Sequence, residues 1–116
     1  MPRPPRKKKP PKESVEDSYI RRLYRSAGCT VVTYSQPRQT KQTPGIPDLQ
    51  VFDHRTGTWW YHEVKRRSGP EWLKVSHGQT EAQLAFQQMC EEFGIEYLIG
   101  AREVALQKLR EIGRIQ

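Results

Sequence analysis

Apolar and polar positions along the chain follow two different spacings. In the middle of the chain, β-branched and aromatic residues flank the turn 54–57, which predicts an antiparallel hairpin. Elsewhere, apolar residues recur at helical spacing, and the first two helices end at glycines. The predicted elements are helices over about 14–27, 79–93 and 102–112, and strands over 29–34, 48–53, 58–66 and 96–99. Their order, α-β-β-β-α-β-α, predicts an α/β fold in which helices flank a mixed sheet.

The hairpin brings charged side chains together. If the four residues 54–57 close it, Asp48 lies directly opposite Glu63. Directly opposed residues of antiparallel strands share a face, with their Cβ atoms about 5 Å apart. Lys65 is two positions beyond Glu63, so it lies on the same face, about 7 Å further along the strand. The register therefore predicts one patch that contains two carboxylates and an ammonium group.

This patch suits a divalent cation. Two close carboxylates repel each other unless a cation lies between them, and oxygen ligands completed by water suit Mg²⁺ or Mn²⁺. An ion held there can activate a water molecule and neutralise charge on a phosphoryl group. Lys65 can hold that water or the phosphate with its compact ammonium group. A surface salt bridge between Lys65 and a carboxylate, worth about 0–1 kcal/mol, is the alternative.

Three motifs in order resemble a known family. They are Gly45-Ile46-Pro47-Asp48 before the hairpin, Glu63-Val64-Lys65 at its end, and Gln83-Leu84-Ala85-Phe86 on a later helix. Over roughly residues 14–100 this series resembles the PD-(D/E)xK nuclease superfamily and, within it, the virus-type replication-repair nuclease (VRR-NUC) family. The resemblance implies a single nuclease domain over residues 14–116 with a restriction-endonuclease-like core.

The resemblance also implies roles for the residues of the patch. Asp48 and Glu63 would ligate Mg²⁺ or Mn²⁺ through their carboxylates, and Val64 would add its backbone carbonyl. Lys65 would position the nucleophile. The implied reaction is the metal-dependent hydrolysis of phosphodiester bonds.

Glu16 matches an acidic residue that family members carry on the first helix, so it is predicted as a further metal ligand. Its spacing to Ile20, Leu23 and Ala27 turns it inward, which agrees with that role. The alternative is that Glu16 follows a Ser14 cap and complements the helix dipole.

Gln83 is the family match on the later helix and is predicted to steer a water or a phosphate at the site. Its spacing to Phe86 and Gly94 favours it over Gln79. The alternative is a capping box, because Thr80 and Gln83 have the spacing at which the glutamine side chain reaches back to the threonine amide.

Charge is distributed unevenly along the chain. Of its 116 residues, the first 12 include six basic residues, and without these the formal net charge falls from +7 to +1. Residues 1–13 are therefore predicted to be a disordered, basic, proline-rich tail. Such a tail would bind phosphates with steep salt dependence. A solubilising or nuclear-import role is the alternative.

Further basic residues flank the acidic patch in sequence and are predicted to contact the DNA backbone. They are Arg38, Lys41, Arg66, Arg67 and Lys74. The resemblance implies an endonuclease of phage or bacterial replication, recombination or repair that cuts branched, flapped or otherwise structured DNA. A non-catalytic DNA-binding subunit with the same fold is the alternative. A homodimer stays open, because no dimer interface is identifiable in the sequence.

The remaining composition bears on location. No apolar run is long enough to span a membrane, so no membrane partner is expected. The two cysteines form no disulfide framework, which favours an intracellular protein. We therefore expect a cytoplasmic location in a bacterial or phage-infected cell, with a nuclear location as the alternative.

Overall fold

The computed structural model describes residues 13–34, 43–65, 67–68, 74–75 and 79–116. The predicted tail lies outside these ranges, apart from Glu13, and so do Arg38, Lys41 and Arg66. The helices are α1 (Glu13–Ser26), α2 (Glu81–Glu92) and α3 (Arg102–Glu111). The strands are β1 (Cys29–Thr33), β2 (Leu49–Asp53), β3 (Thr58–Val64), β4 (Arg67–Ser68), β5 (Lys74–Val75) and β6 (Tyr97–Gly100).

Every element predicted from the sequence is present, and each of its ends lies within two residues of the prediction. The main sheet has the strand order β1-β2-β3-β6, with antiparallel pairs except for β3 and β6, which are parallel. The predicted α/β fold with a mixed sheet is therefore confirmed. Strands β4 and β5 were not predicted and form a separate two-stranded ladder.

One face of the sheet carries the hydrophobic core. Alternate residues of β2 and β3, together with one face each of α1 and α3, form a cluster of buried side chains that includes Ile20, Tyr24, Leu49, Val51, Trp60, Val64, Ala105 and Leu109. Because successive side chains of a strand point to opposite faces, Tyr61 and Glu63 face away from this cluster. Tyr61 meets Phe86 of α2 edge to face, with ring centroids 5.3 Å apart. Glu63 therefore belongs to the α2 face.

A buried histidine joins α1, β3 and β6. The Nδ1 atom of His62 is 2.7 Å from the Tyr24 hydroxyl, and its Nε2 atom is 3.0 Å from the carbonyl oxygen of Gly100. A carbonyl can only accept, so Nε2 carries the proton and Nδ1 accepts from Tyr24. Burial lowers the pKa of His62 to about 4, against the opposing effect of the Gly100 hydrogen bond. The amide of Lys65 also donates to Gly100, at 3.1 Å. The neutral imidazole thus fixes β3 against β6 where Glu63 and Lys65 lie.

Candidate active site

The hairpin has the register predicted from its turn. The last pair of its ladder is Leu49 with His62, so Asp48 faces Glu63 one step further along. The Oδ2 atom of Asp48 accepts a hydrogen bond of 2.8 Å from the backbone amide of Val64. Val64 thus contacts Asp48 through its amide, while its predicted role as a ligand concerns its carbonyl. The two carboxylates are brought together at the end of the hairpin.

The loop before Asp48 is held against the first turn of α2. Gly45 has a φ of +79°, and a Cβ atom there would overlap the carbonyl group of Ala82 and lie 2.8 Å from the amide nitrogen of Gln83. Only glycine combines this conformation with so close an approach. Pro47, which stands between Gly45 and Asp48 in the sequence, is fully buried. Helix α2 therefore helps to set the position of Asp48.

We expect Gly45→Ala to destabilise the protein and to weaken its site. Gly57→Ala is the matched control, because Gly57 also has a positive φ, +69°, but no described atom lies within 4 Å of its Cβ position. The two variants share the backbone strain, and Gly45→Ala adds an overpacking cost of about 1–3 kcal/mol. Urea denaturation measures the difference, and equal free energies of unfolding for the two variants would show that the loop does not pack on α2.

Glu63 is the most enclosed acidic side chain of the patch. It is 1% exposed, and its Oε2 atom accepts a hydrogen bond of 3.1 Å from Nε2 of Gln79. The ammonium of Lys65, itself a buried residue at 7% exposure, is 3.8 Å from the same oxygen. The other oxygen, Oε1, is buried and has no hydrogen-bond partner in the described part of the chain. A buried acceptor without a partner is costly, so this atom can accept a hydrogen bond from a donor or bind a cation.

A comparison with solved structures bears on the fold that carries this site. The chain is similar to a structure described as a VRR_NUC domain, with a TM-score of 0.60 and 23% sequence identity, over 85% of this chain and 94% of that chain. The chain has the VRR_NUC fold. No family model and no curated protein matches the sequence. The structural match confirms the fold that the resemblance implied, a nuclease-type α/β fold.

Gln83 has a different place in this VRR_NUC fold from the one predicted. Its side-chain Oε1 atom accepts a hydrogen bond of 2.9 Å from the backbone amide of Thr80, and the backbone amide of Gln83 donates to the Thr80 hydroxyl at 3.2 Å. These two bonds form the capping box that the sequence offered as the alternative. Helix α2 begins at Glu81, so Gln83 caps its first turn, and the contact with Glu63 is made by Gln79 instead.

Glu16 is also placed differently. It is buried at 1% exposure, as its inward spacing predicted, but it lies in the layer of α1 and α3, whereas Glu63 faces α2. Its carboxylate accepts hydrogen bonds of 2.9 Å from the backbone amide, Nε and Nη2 of Arg102, at the start of α3. These bonds cap α3, whose own N-cap residue, Ala101, makes no side-chain cap. The carboxylate of Glu16 is thus partnered by the guanidinium group of Arg102, whereas the sequence predicted it as a metal ligand.

Tyr97 lies at the site and was not predicted there. It is on β6, beside Tyr61 of β3, and its buried hydroxyl has no hydrogen-bond partner of good geometry in the described ranges. Burial, then the nearby charge of Glu63 and its contact with the hydroxyl, raise the pKa of Tyr97, against the opposing effect of Gln79, which also interacts with the hydroxyl. No local pattern could identify Tyr97, because its position depends on the parallel pairing of two strands far apart in sequence.

The predicted DNA contacts are described only in part. Arg67 and Lys74 lie on β4 and β5, which pair Arg67 with Val75 and Ser68 with Lys74, and only their backbone is described. The ladder begins two residues after Lys65, so it continues the chain directly from the candidate site.

Among the helices of the described ranges, none has both the length and the apolar composition needed to cross a bilayer.

Proposed function

We propose that this protein is a metal-dependent nuclease of the VRR-NUC family that hydrolyses DNA phosphodiester bonds. We further propose that it is an endonuclease whose substrates are branched, flapped or otherwise structured DNA. One observation carries the proposal: Glu63 faces Asp48 at the end of a hairpin in a nuclease-type fold, and its buried Oε1 atom has no hydrogen-bond partner among the residues that the structure describes. A water-excluded carboxylate oxygen of this kind is suited to a cation.

The donor set fits Mg²⁺ or Mn²⁺. The ion would be held by Oε1 of Glu63, the carboxylate of Asp48 and the carbonyl of Val64. Within the described ranges, no three acidic, histidine or cysteine side chains form a set that could hold a metal. Mg²⁺ is usually bound by one or two carboxylates and keeps several waters, so the carboxylates of Asp48 and Glu63 would be sufficient. When bound, the ion supplies charge neutralisation at the phosphate and a lower pKa for an attacking water.

The side chains of the site divide the remaining tasks. The Val64 amide holds one oxygen of Asp48, and Gln79 holds one oxygen of Glu63, so neither carboxylate is free to rotate. Lys65 keeps its ammonium within 3.8 Å of Glu63, where it can orient the water or bind a phosphate oxygen. Burial around these groups strengthens each electrostatic contact, because the local dielectric constant is low.

A cleavage assay tests the proposal. Purified protein is incubated with labelled duplex, nicked, flapped and four-way-junction DNA, and with single-stranded DNA and RNA, in Mg²⁺, Mn²⁺ or chelator. We expect cleavage of the branched or flapped DNA with either ion, and none with chelator. Binding of the DNA without cleavage in either ion would support the non-catalytic subunit instead. Equal cleavage in chelator would contradict a metal-dependent reaction.

A further inference from the structure

Two glutamines connect α2 to the candidate metal ligand. Gln79 precedes the helix, and its Nε2 atom is 3.1 Å from Oε2 of Glu63 and 3.1 Å from Oε1 of Gln87. An amide nitrogen carries two hydrogens, so both bonds form together. A carboxylate can only accept, which fixes the orientation of the Gln79 amide. Gln87 lies one turn beyond the capping box, within α2.

This arrangement makes the two oxygens of Glu63 unequal. Oε2 has Gln79 and the Lys65 ammonium as neighbours, whereas Oε1 has no hydrogen-bond partner in the described part of the chain. The last torsion of a glutamate side chain has only weak preferences, so the carboxylate needs an external contact to hold its orientation. Tyr97 interacts with both Glu63 and Gln79 from the side of β6. The site therefore has one oxygen held by Gln79 and one that makes no hydrogen bond of good geometry in the described part of the chain.

We propose that Gln79 and Gln87 are positioning residues that hold Oε2 of Glu63 and so direct Oε1 to the metal ion. The inference rests on the proposed function, because it needs a metal at Glu63. Gln87 acts through Gln79: it binds the second hydrogen of the amide and keeps the first directed at Glu63. Without Gln79, the Glu63 carboxylate is free to turn towards Lys65, which is already 3.8 Å away. The orientation that presents Oε1 is then less populated, and metal affinity falls.

Metal titration of matched variants tests whether Gln79 and Gln87 position Glu63. Gln79→Leu and Gln79→Ala remove the amide, Gln87→Leu removes its support, and Gln88→Leu is the control, because Gln88 is an exposed neighbour on α2. Mn²⁺ binding is measured for each by calorimetry and electron paramagnetic resonance, without DNA. We expect both Gln79 variants to raise the Mn²⁺ dissociation constant by about 10–100-fold, the range found for groups that orient metal ligands. Gln87→Leu should raise it less, and Gln88→Leu should leave it unchanged.

Two further results separate this inference from the proposed function. Because Gln87 acts through Gln79, the double variant Gln79→Leu/Gln87→Leu should bind Mn²⁺ no more weakly than Gln79→Leu alone. If wild-type protein binds Mn²⁺ and cleaves DNA, and the Gln79 variants bind Mn²⁺ within twofold of wild type, the positioning role is wrong and the proposed function stands. Wild-type protein without Mn²⁺ affinity would overturn both. Urea denaturation identifies any variant that loses affinity through unfolding, and the Gln79→Ala variant repeats the test with a smaller side chain.

Discussion

Glu63→Gln is expected to lower the cleavage rate at saturating Mg²⁺ by about 1,000-fold. Loss of a group that only orients a metal ligand costs about 10–100-fold, and Glu63 is the proposed ligand itself. Glutamine has nearly the same shape and can still accept the hydrogen bond from Gln79 through its one oxygen. Its NH₂ group then replaces the open Oε1 atom, so a donor faces the cation in place of an acceptor. The defect is therefore chemical and does not require a change of fold.

The comparison includes Glu92→Gln, a loss of the same charge at an exposed position of α2. Initial rates on the preferred DNA are measured for wild type and both variants, and DNA affinity is measured in chelator. We expect Glu92→Gln to cleave at the wild-type rate, and all three proteins to bind DNA within a few-fold. If Glu63→Gln cleaves at the wild-type rate, the assignment of the metal site to the end of the hairpin is wrong.

The hairpin part of the site could be predicted because its information is local. A four-residue turn fixes the register of two strands, and the register alone places Asp48 opposite Glu63 with Lys65 on the same face. The observed ladder has this register. The turn that the Ile46 amide closes on the carbonyl oxygen of Thr43 is also local, although the contact of Gly45 with α2 is not. Residue order over about 20 positions was therefore enough to locate the acidic patch.

The helical contributions to the site were harder to predict, because a helical pattern does not specify which sheet face its helix covers. The stripe of Glu16 and Ile20 identified the buried side of α1, but the partner on that side is α3. Gln83 matched the family motif, yet its spacing to Thr80 also satisfied the first turn of α2, and the cap is what forms. The sequence shows which residues of a helix face inward and which residues can cap it. It does not show which element packs against the inward face.

Gln87 and Tyr97 gave no signal that could be recognised in the sequence, and Gln79 was considered only as the less favoured match to the family glutamine. Gln79 contacts Glu63, and Gln87 contacts Gln79, because α2 covers one face of β3. Tyr97 reaches Glu63 because β6 pairs with β3 in parallel. Both arrangements join segments that are distant along the chain. Parallel pairing needs a crossover connection, and no turn of fixed length sets its register. Tertiary contacts thus determine which residues surround the Glu63 carboxylate, whereas the hairpin register determines the position of Glu63 itself.

The contact between Glu16 and Arg102 leads to the second large effect. Arg102→Met is expected to lower the free energy of unfolding by about 3 kcal/mol, because a buried carboxylate loses its guanidinium partner. The estimate lies at the low end of the usual range, since Arg102 keeps part of its side chain in solvent and its backbone amide still donates to Glu16. Arg110→Met, an exposed change on the same helix, is the control and should cost well under 1 kcal/mol.

The same pair allows the observed role of Glu16, as the partner of Arg102, to be distinguished from its predicted role as a metal ligand. As the partner of Arg102, Glu16 contributes to stability, so Glu16→Gln should lower the free energy of unfolding while each folded molecule cleaves DNA at nearly the wild-type rate. As a metal ligand, Glu16 would instead behave like Glu63, and Glu16→Gln would lose cleavage without losing stability. The cleavage rate of Glu16→Gln is measured at low temperature, where this variant stays folded. The two residues are both buried acids, but only the one that faces α2 has an oxygen without a partner in the described structure.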